Sequence, residues 1–231
     1  MSIRENLRRI RERVAEAALR AGRDPGEVKI LGAAKGQPPE RIREAVAEGL
    51  TLVGENYVQE AQRKKAELAD LPLSWHLIGH LQSNKAKKAL EIFDWIETVD
   101  RPEIAEKLSR LSQKLGRKVP VLIQVNVGGE ATKKGLRPED LPRLVSLIRE
   151  LPGIEVRGLM AIPPYSEDPE AVRPYFRLLR ELRDRIREEF GLSDFRELSM
   201  GMSHDFEVAV EEGATIVRIG TILFGPRSPK R

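Results

Sequence analysis

Val119-Pro120-Val121-Leu122-Ile123-Gln124-Val125-Asn126-Val127 is a near-continuous apolar run rich in β-branched side chains. A strand with one wet face alternates apolar and polar residues. A strand that is apolar throughout needs cover on both faces, the habit of parallel sheets flanked by their crossover helices. The flanking sequence fits. Pro102 to about Leu115 reads as a helix, with proline in its first turn and Gly116 behind it, and Phe93–Val99 ahead of it reads as a strand. Pro138–Glu150 is helical, and Ile154–Ile162 is a strand stopped by Pro163-Pro164.

The same alternation continues to both ends. Val28–Lys35, Thr51–Val53 and Ser74–Gly79 read as strands, followed by helices over Pro39–Glu48, Val58–Ala69 and Asn84–Leu90, the last with Ser83 as its N-cap. Asp168–Phe190 is a long helix, Glu197–Ser199 a short strand, Phe206–Glu212 a helix and Thr215–Gly220 a final strand. Ahead of them all, Ile3, Leu7, Ile10, Val14, Ala17 and Ala21 recur at steps of three and four, an amphipathic helix closed by Gly22. About eight strand–helix units without a linker predict one domain over residues 1–231, a single (β/α)8 TIM barrel with an extra N-terminal helix. An open doubly wound sheet is the runner-up. It would carry a glycine-rich fingerprint after its first strand, and Lys35-Gly36-Gln37-Pro38 is not one.

Composition narrows the partners. The chain has no cysteine, so disulfides and thiolate metal sites are excluded. Its 40 basic and 36 acidic residues are interspersed and leave a net charge of +4, which does not call for nucleic acid. The N-terminus has no secretory pattern, and no apolar run approaches the roughly 20 residues that cross a bilayer, so a cytoplasmic protein is expected.

Barrel chemistry sits at the C-terminal ends of strands. Those ends carry Lys35, Glu55-Asn56, His76, Asp100, Asn126, Met160, Ser199 and Arg218: one amine, one guanidinium and several neutral groups. A glycosidase would set two carboxylates about 5 to 9 Å apart, for which Glu55 and Asp100 are the sole candidates. His76 and His80 have the spacing of a helical zinc motif but lie on a strand, which separates their rings too far for one metal. Gly79–Lys85 lacks the second glycine of a P-loop and reads as a strand-to-helix loop. Two later turns are more informative. Leu198-Ser199-Met200-Gly201-Met202-Ser203 and Arg218-Ile219-Gly220-Thr221 each offer a glycine backbone and hydroxyls after the seventh and eighth strands, where barrels commonly hold phosphate. Either alone suits ordinary helix capping; both together, with Lys35 facing them, favour a phosphate. A phosphate opposite a strand-end lysine points to pyridoxal 5′-phosphate (PLP), its aldehyde bonded covalently to Lys35. Arg218, which keeps its proton, would donate to the pyridine nitrogen and make a weak electron sink.

At these residues the sequence closely resembles the pyridoxal-phosphate homeostasis proteins, relatives of the alanine racemase barrel domain. The matching segments are Ala33-Ala34-Lys35, Gly54–Glu60 (Gly-Glu-Asn-Tyr-Val-Gln-Glu), Trp75–Lys85, Gly158-Leu159-Met160, Leu198–Ser203 and Val217–Gly220. The resemblance implies one barrel holding PLP on Lys35, with phosphate contacts from Ser199, Ser203, Gly220 and Thr221. It implies Arg218 at the ring nitrogen, Asn56, His76 and Met160 lining the ring, and Met200 within the phosphate-side motif. Gly36 departs from the family, where threonine or another larger polar residue is expected, and His204 is less usual than a shorter residue. Alanine racemases carry their second acid–base group on a further domain; this chain stops at Arg231 shortly after the last strand, so binding without efficient turnover is expected. The family implies a role in buffering PLP and delivering it to apo PLP-dependent enzymes, and a monomer is expected. A low-activity fold-type III enzyme such as an amino-acid racemase is the alternative.

Overall fold

Eight short strands pair in chain order, each with the next and the last with the first. They are β1 (Lys29–Ala33), β2 (Leu52–Glu55), β3 (Ser74–Leu77), β4 (Trp95–Val99), β5 (Val119–Gln124), β6 (Ile154–Met160), β7 (Glu197–Met202) and β8 (Ile216–Ile219). Every pairing is parallel and the sheet is a closed barrel. The structure is a computed structural model and describes residues 2–130 and 132–226.

Around the barrel lie α2 (Pro39–Ala47), α3 (Val58–Glu67), α4 (Ala86–Ile92), α5 (Pro102–Lys114), α6 (Leu141–Ile148), α7 (Arg173–Phe190) and α8 (Phe206–Glu211), with a short α9 (Thr221–Phe224) after β8. The extra helix α1 (Ile3–Arg20) starts in a capping box, Ser2 Oγ accepting from Glu5 N–H and the Glu5 carboxylate from Ser2 N–H. Its apolar stripe, Ile3, Leu7, Ile10, Val14, Ala17 and Ala18, is buried against α2, α8 and α9. It thereby covers the seam where the last barrel unit meets the first.

Side-chain alternation sorts each strand into two faces. Trp75 and Leu77 of β3 join the large core between sheet and helices, while Ile78, just past that strand, packs with Leu31 and Ile216 inside the barrel. Gly54 makes the inner packing possible: a Cβ there would stand 2.4 Å from Leu31 Cδ2.

Three expectations change. Ser83 does not cap the helix after β3; Ser83–Lys85 form a 3-10 turn in which Lys85 N–H donates to the Gln82 carbonyl, and α4 begins at Ala86. Strand β7 runs on to Met202, because Gly201 at φ +90° lets the backbone continue through a register shift where a Cβ would meet Ala209 Cβ at 2.6 Å. Thr221–Phe224 form a helical turn that too short a periodic pattern could not announce.

Candidate functional site

Strand β1 delivers Lys35 to the C-terminal mouth. The strand stops at Ala33, and the chain turns over Lys35–Gly36. Gly36 has φ +71°, left-handed backbone that a larger residue would hold only under strain, so glycine suits this turn as it stands here. Gln37 N–H donates to the Ala34 carbonyl and Ala34 N–H to the Gly54 carbonyl, each at 2.9 Å. The Lys35 side chain is partly exposed, with Nζ 3.4 Å from Tyr57 Oη and 4.9 Å from the centre of that ring.

Lys35 does not face the β8 turn from across the barrel, as the sequence suggested. Closure pairs β1 with β8, Gly32 opposite Ile219, and a Cβ on Gly220 would come within 3.3 Å of the Ala33 carbonyl oxygen. The lysine turn and Gly220–Thr221 are neighbours on the rim. Next to them, β7 leads into Ser203, which is half-buried, and Thr221 is exposed. The loop after β7 is tied down by Asp205, whose carboxylate accepts from Met202 N–H at 2.7 Å. Burial holds the Asp205 carboxyl above the usual range despite that bond and the Arg218 charge.

Beneath the rim runs a buried polar column. Arg218, 3% exposed, donates from Nη2 to the Ala161 carbonyl at 2.8 Å and from Nη1 to Ser199 Oγ at 2.9 Å. Ser199 Oγ donates a hydrogen bond to Glu97 Oε2 at 2.5 Å, and Glu97 Oε1 lies 2.6 Å from His76 Nδ1. Burial pushes the Glu97 carboxyl up, but the hydrogen bonds and charges of His76, Arg218 and Ser199 outweigh it and leave it lowered. Glu97 is therefore a carboxylate, an acceptor only, so His76 Nδ1 carries the hydrogen between them. Burial in turn pulls Arg218 down, opposed by the charges of Glu97 and Asp205.

The ten residues expected at the site thus separate. Lys35, Ser203, Gly220 and Thr221 share the rim, with Arg218 directly beneath. Ser199 points inward and is engaged by Glu97 and Arg218. Met160 is wholly buried, and Met200, next along β7 from Ser199, packs on the helix side. Asn56 and Tyr57 line a cavity of about 350 Å³ with His80 and Lys85, on the Tyr57 side of Lys35. His76 lies lower, stacked on Trp95 at 5.4 Å, and helps line a cavity of about 430 Å³ whose other walls include the first residues of five strands: Lys29, Leu52, Ser74, Trp95 and Ile216. It connects to the mouth through Glu97 and Ser199. Glu97 lies in the middle of β4, so the strand-end pattern does not point to it. The available signal was a lone acid in Trp95-Ile96-Glu97-Thr98-Val99, the one charged residue of the strand.

The fold and this rim define a lysine-bearing parallel barrel of the alanine racemase type. Residues 1–228 match the family model described as alanine racemase, N-terminal domain; the chain belongs to that family and, within it, to the group whose members carry the name pyridoxal phosphate homeostasis protein. One such protein, from Aquifex aeolicus, is 52% identical over 98% of this chain and 99% of its own length. Another, from Pseudomonas aeruginosa, is 49% identical over 98% of this chain and 96% of its own. Among solved structures, PipY of Synechococcus elongatus with PLP bound is 42% identical with a TM-score of 0.82, covering 94% of this chain and 100% of that one. An alanine racemase from Clostridium difficile shares the fold at a TM-score of 0.75 and 16% identity, over 99% of this chain and 56% of its own. No helix of the described residues is long and apolar enough to cross a membrane.

Proposed function

We propose that this protein binds PLP covalently through Lys35 and holds it for release to apo PLP-dependent enzymes, as a cytoplasmic monomer without efficient turnover. The observation that carries the reading is a strand-end amine beside the Gly220–Thr221 rim, with a buried arginine below it. Homology supports it, since PipY, 42% identical, is described with PLP bound.

The donor set fits the group. PLP, when bound, supplies an aldehyde that condenses with primary amines and a phosphate that anchors it. Lys35 provides the amine, and the Tyr57 ring at its side steers it with weak contacts only. Ser203 and Thr221 hydroxyls, with the Gly220 backbone kept open by the missing side chain, would hold the phosphate. Arg218 would donate toward the ring nitrogen; Ser199 and Glu97 fix its guanidinium and balance its charge. Ser199 and His76 then act through Arg218, and Asn56 and Met160 bound the ring. A basic partner at that nitrogen keeps the ring a poor electron sink, which favours storage over catalysis.

Intact-protein mass spectrometry after incubation with PLP, before and after borohydride reduction, tests the reading. One adduct fixed by reduction and mapped to Lys35 is expected, and none in Lys35→Ala. An adduct that survives Lys35→Ala, or none in the wild type, overturns it. The shared fold with alanine racemase favours weak racemisation as the second reading. Rapid α-proton exchange of alanine in deuterated buffer would select it.

A further inference from the structure

Lys64 on α3 is 1% exposed, with its ammonium against the turn that carries Lys35. Burying an ammonium costs several kcal/mol unless its protons are all satisfied, and an apolar residue there would often serve stability as well. Its three protons find three acceptors: the Ala34 carbonyl at 2.7 Å, Glu55 Oε1 at 2.6 Å and Glu60 Oε1 at 2.7 Å. Glu60 Oε1 also accepts from Gly36 N–H at 2.7 Å. Ala34 and Gly36 are the residues on either side of Lys35. One ammonium and one carboxylate oxygen therefore grip the main chain immediately before and after the rim lysine.

We propose that Lys64 and Glu60 are positioning residues for Lys35, clamping its turn so that the amine is presented toward the Gly220–Thr221 rim. The inference rests on the reading of Lys35 as the PLP-binding amine. Among the described residues only Tyr57 directs the Lys35 side chain, so the backbone sets where the amine points. Glycine at position 36 makes that backbone the more permissive, and the clamp removes the freedom. Glu55 anchors Lys64 from the end of β2, which relates the clamp rigidly to the barrel wall.

The test compares wild type with Glu60→Ala, Glu60→Gln and Lys64→Met. Three quantities are read: the rate of PLP capture at Lys35 trapped by borohydride, the rate of reductive methylation of Lys35 by formaldehyde against Lys114 as an internal reference, and the exchange rate of the Gly36 amide. In Glu60→Ala, PLP capture falls at least about tenfold, as misplacement of a reacting group by an ångström can cost more than that. Gly36 exchange accelerates, while formaldehyde, which needs no orientation, still labels Lys35. Glu60→Gln, whose amide oxygen keeps an acceptor for Gly36, stays near wild type. Lys64→Met supplies the same comparison should Glu60→Ala fail to fold. Wild-type capture rates in both Glu60→Ala and Lys64→Met overturn the clamp and leave the PLP reading standing. No capture at Lys35 in the wild type removes both.

Discussion

The hydroxyl of Ser199 stands 2.9 Å from Nη1 of Arg218 and 2.5 Å from Glu97, so a residue expected to touch a ligand instead couples two buried charges. Through it the last strand of the barrel is held by the fourth.

Glu97→Gln follows from that coupling. Removing one member of a buried charge set leaves the other short of compensation: Arg218 is linked to Glu97 through Ser199 Oγ, and without Glu97 the charge of Asp205 is left to oppose the burial of the guanidinium. A loss of about 3–5 kcal/mol is expected in urea unfolding. The folded carboxyl is lowered, so its stabilising contribution is present above the unfolded pKa and fades as pH falls through the folded value. The variant should lose that part of the acid dependence. A cost under about 1 kcal/mol would show that the column is electrostatically idle.

Glu55 should act with the opposite sign. Burial raises its carboxyl to about 7, with the Lys64 charge and hydrogen bond pulling it down, and its Oε2 has no hydrogen-bond partner among the described residues. A folded pKa above the unfolded one means the folded state binds the extra proton, so stability falls as pH rises from about 4.5 toward 7. Glu55→Gln lacks this slope. Its stability relative to wild type should climb across that window in pH-dependent denaturation, and a constant difference would refute the assignment.

Gly158→Ala should be severely destabilising. At φ +154° its Cβ would fall 2.0 Å from the Glu197 carbonyl oxygen, and backbone cannot rotate away as a side chain can. A melting temperature within a few degrees of wild type would contradict this placement of β6 against β7.

Lys35→Ala should leave the fold intact. The side chain has one long hydrogen bond and one ring contact, both with the exposed Tyr57, so less than about 1 kcal/mol is at stake. Unchanged urea unfolding, alongside complete loss of PLP adduct, is the expected pair of results. A variant that fails to fold would mean Lys35 is structural.

Much of the architecture was legible. The apolar run at Val119–Val127, the prolines opening helices at Pro39 and Pro102, and the stripe from Ile3 to Ala17 are local patterns, and local patterns encode strands and helices directly; Ala21, placed on that stripe by its spacing, is exposed beyond the helix end, and Ala18 is buried instead. The rim residues were legible because strand ends were legible. The end of β7 was not, since Gly201 reads as a turn residue in sequence and serves as a left-handed step within a strand.

By itself the sequence determined the parallel barrel, the eight units and the family, because burial on both faces and motif spacing are properties of short stretches. The tertiary structure decided which charges meet. Closing β1 onto β8 put Lys35 beside Gly220; alternation inside the barrel set Glu97 under Arg218 through Ser199; and α3 packing on β2 drove Lys64 against the turn that carries Lys35. Such pairs join residues up to about two hundred positions apart, and no local periodicity carries the closure that brings them together.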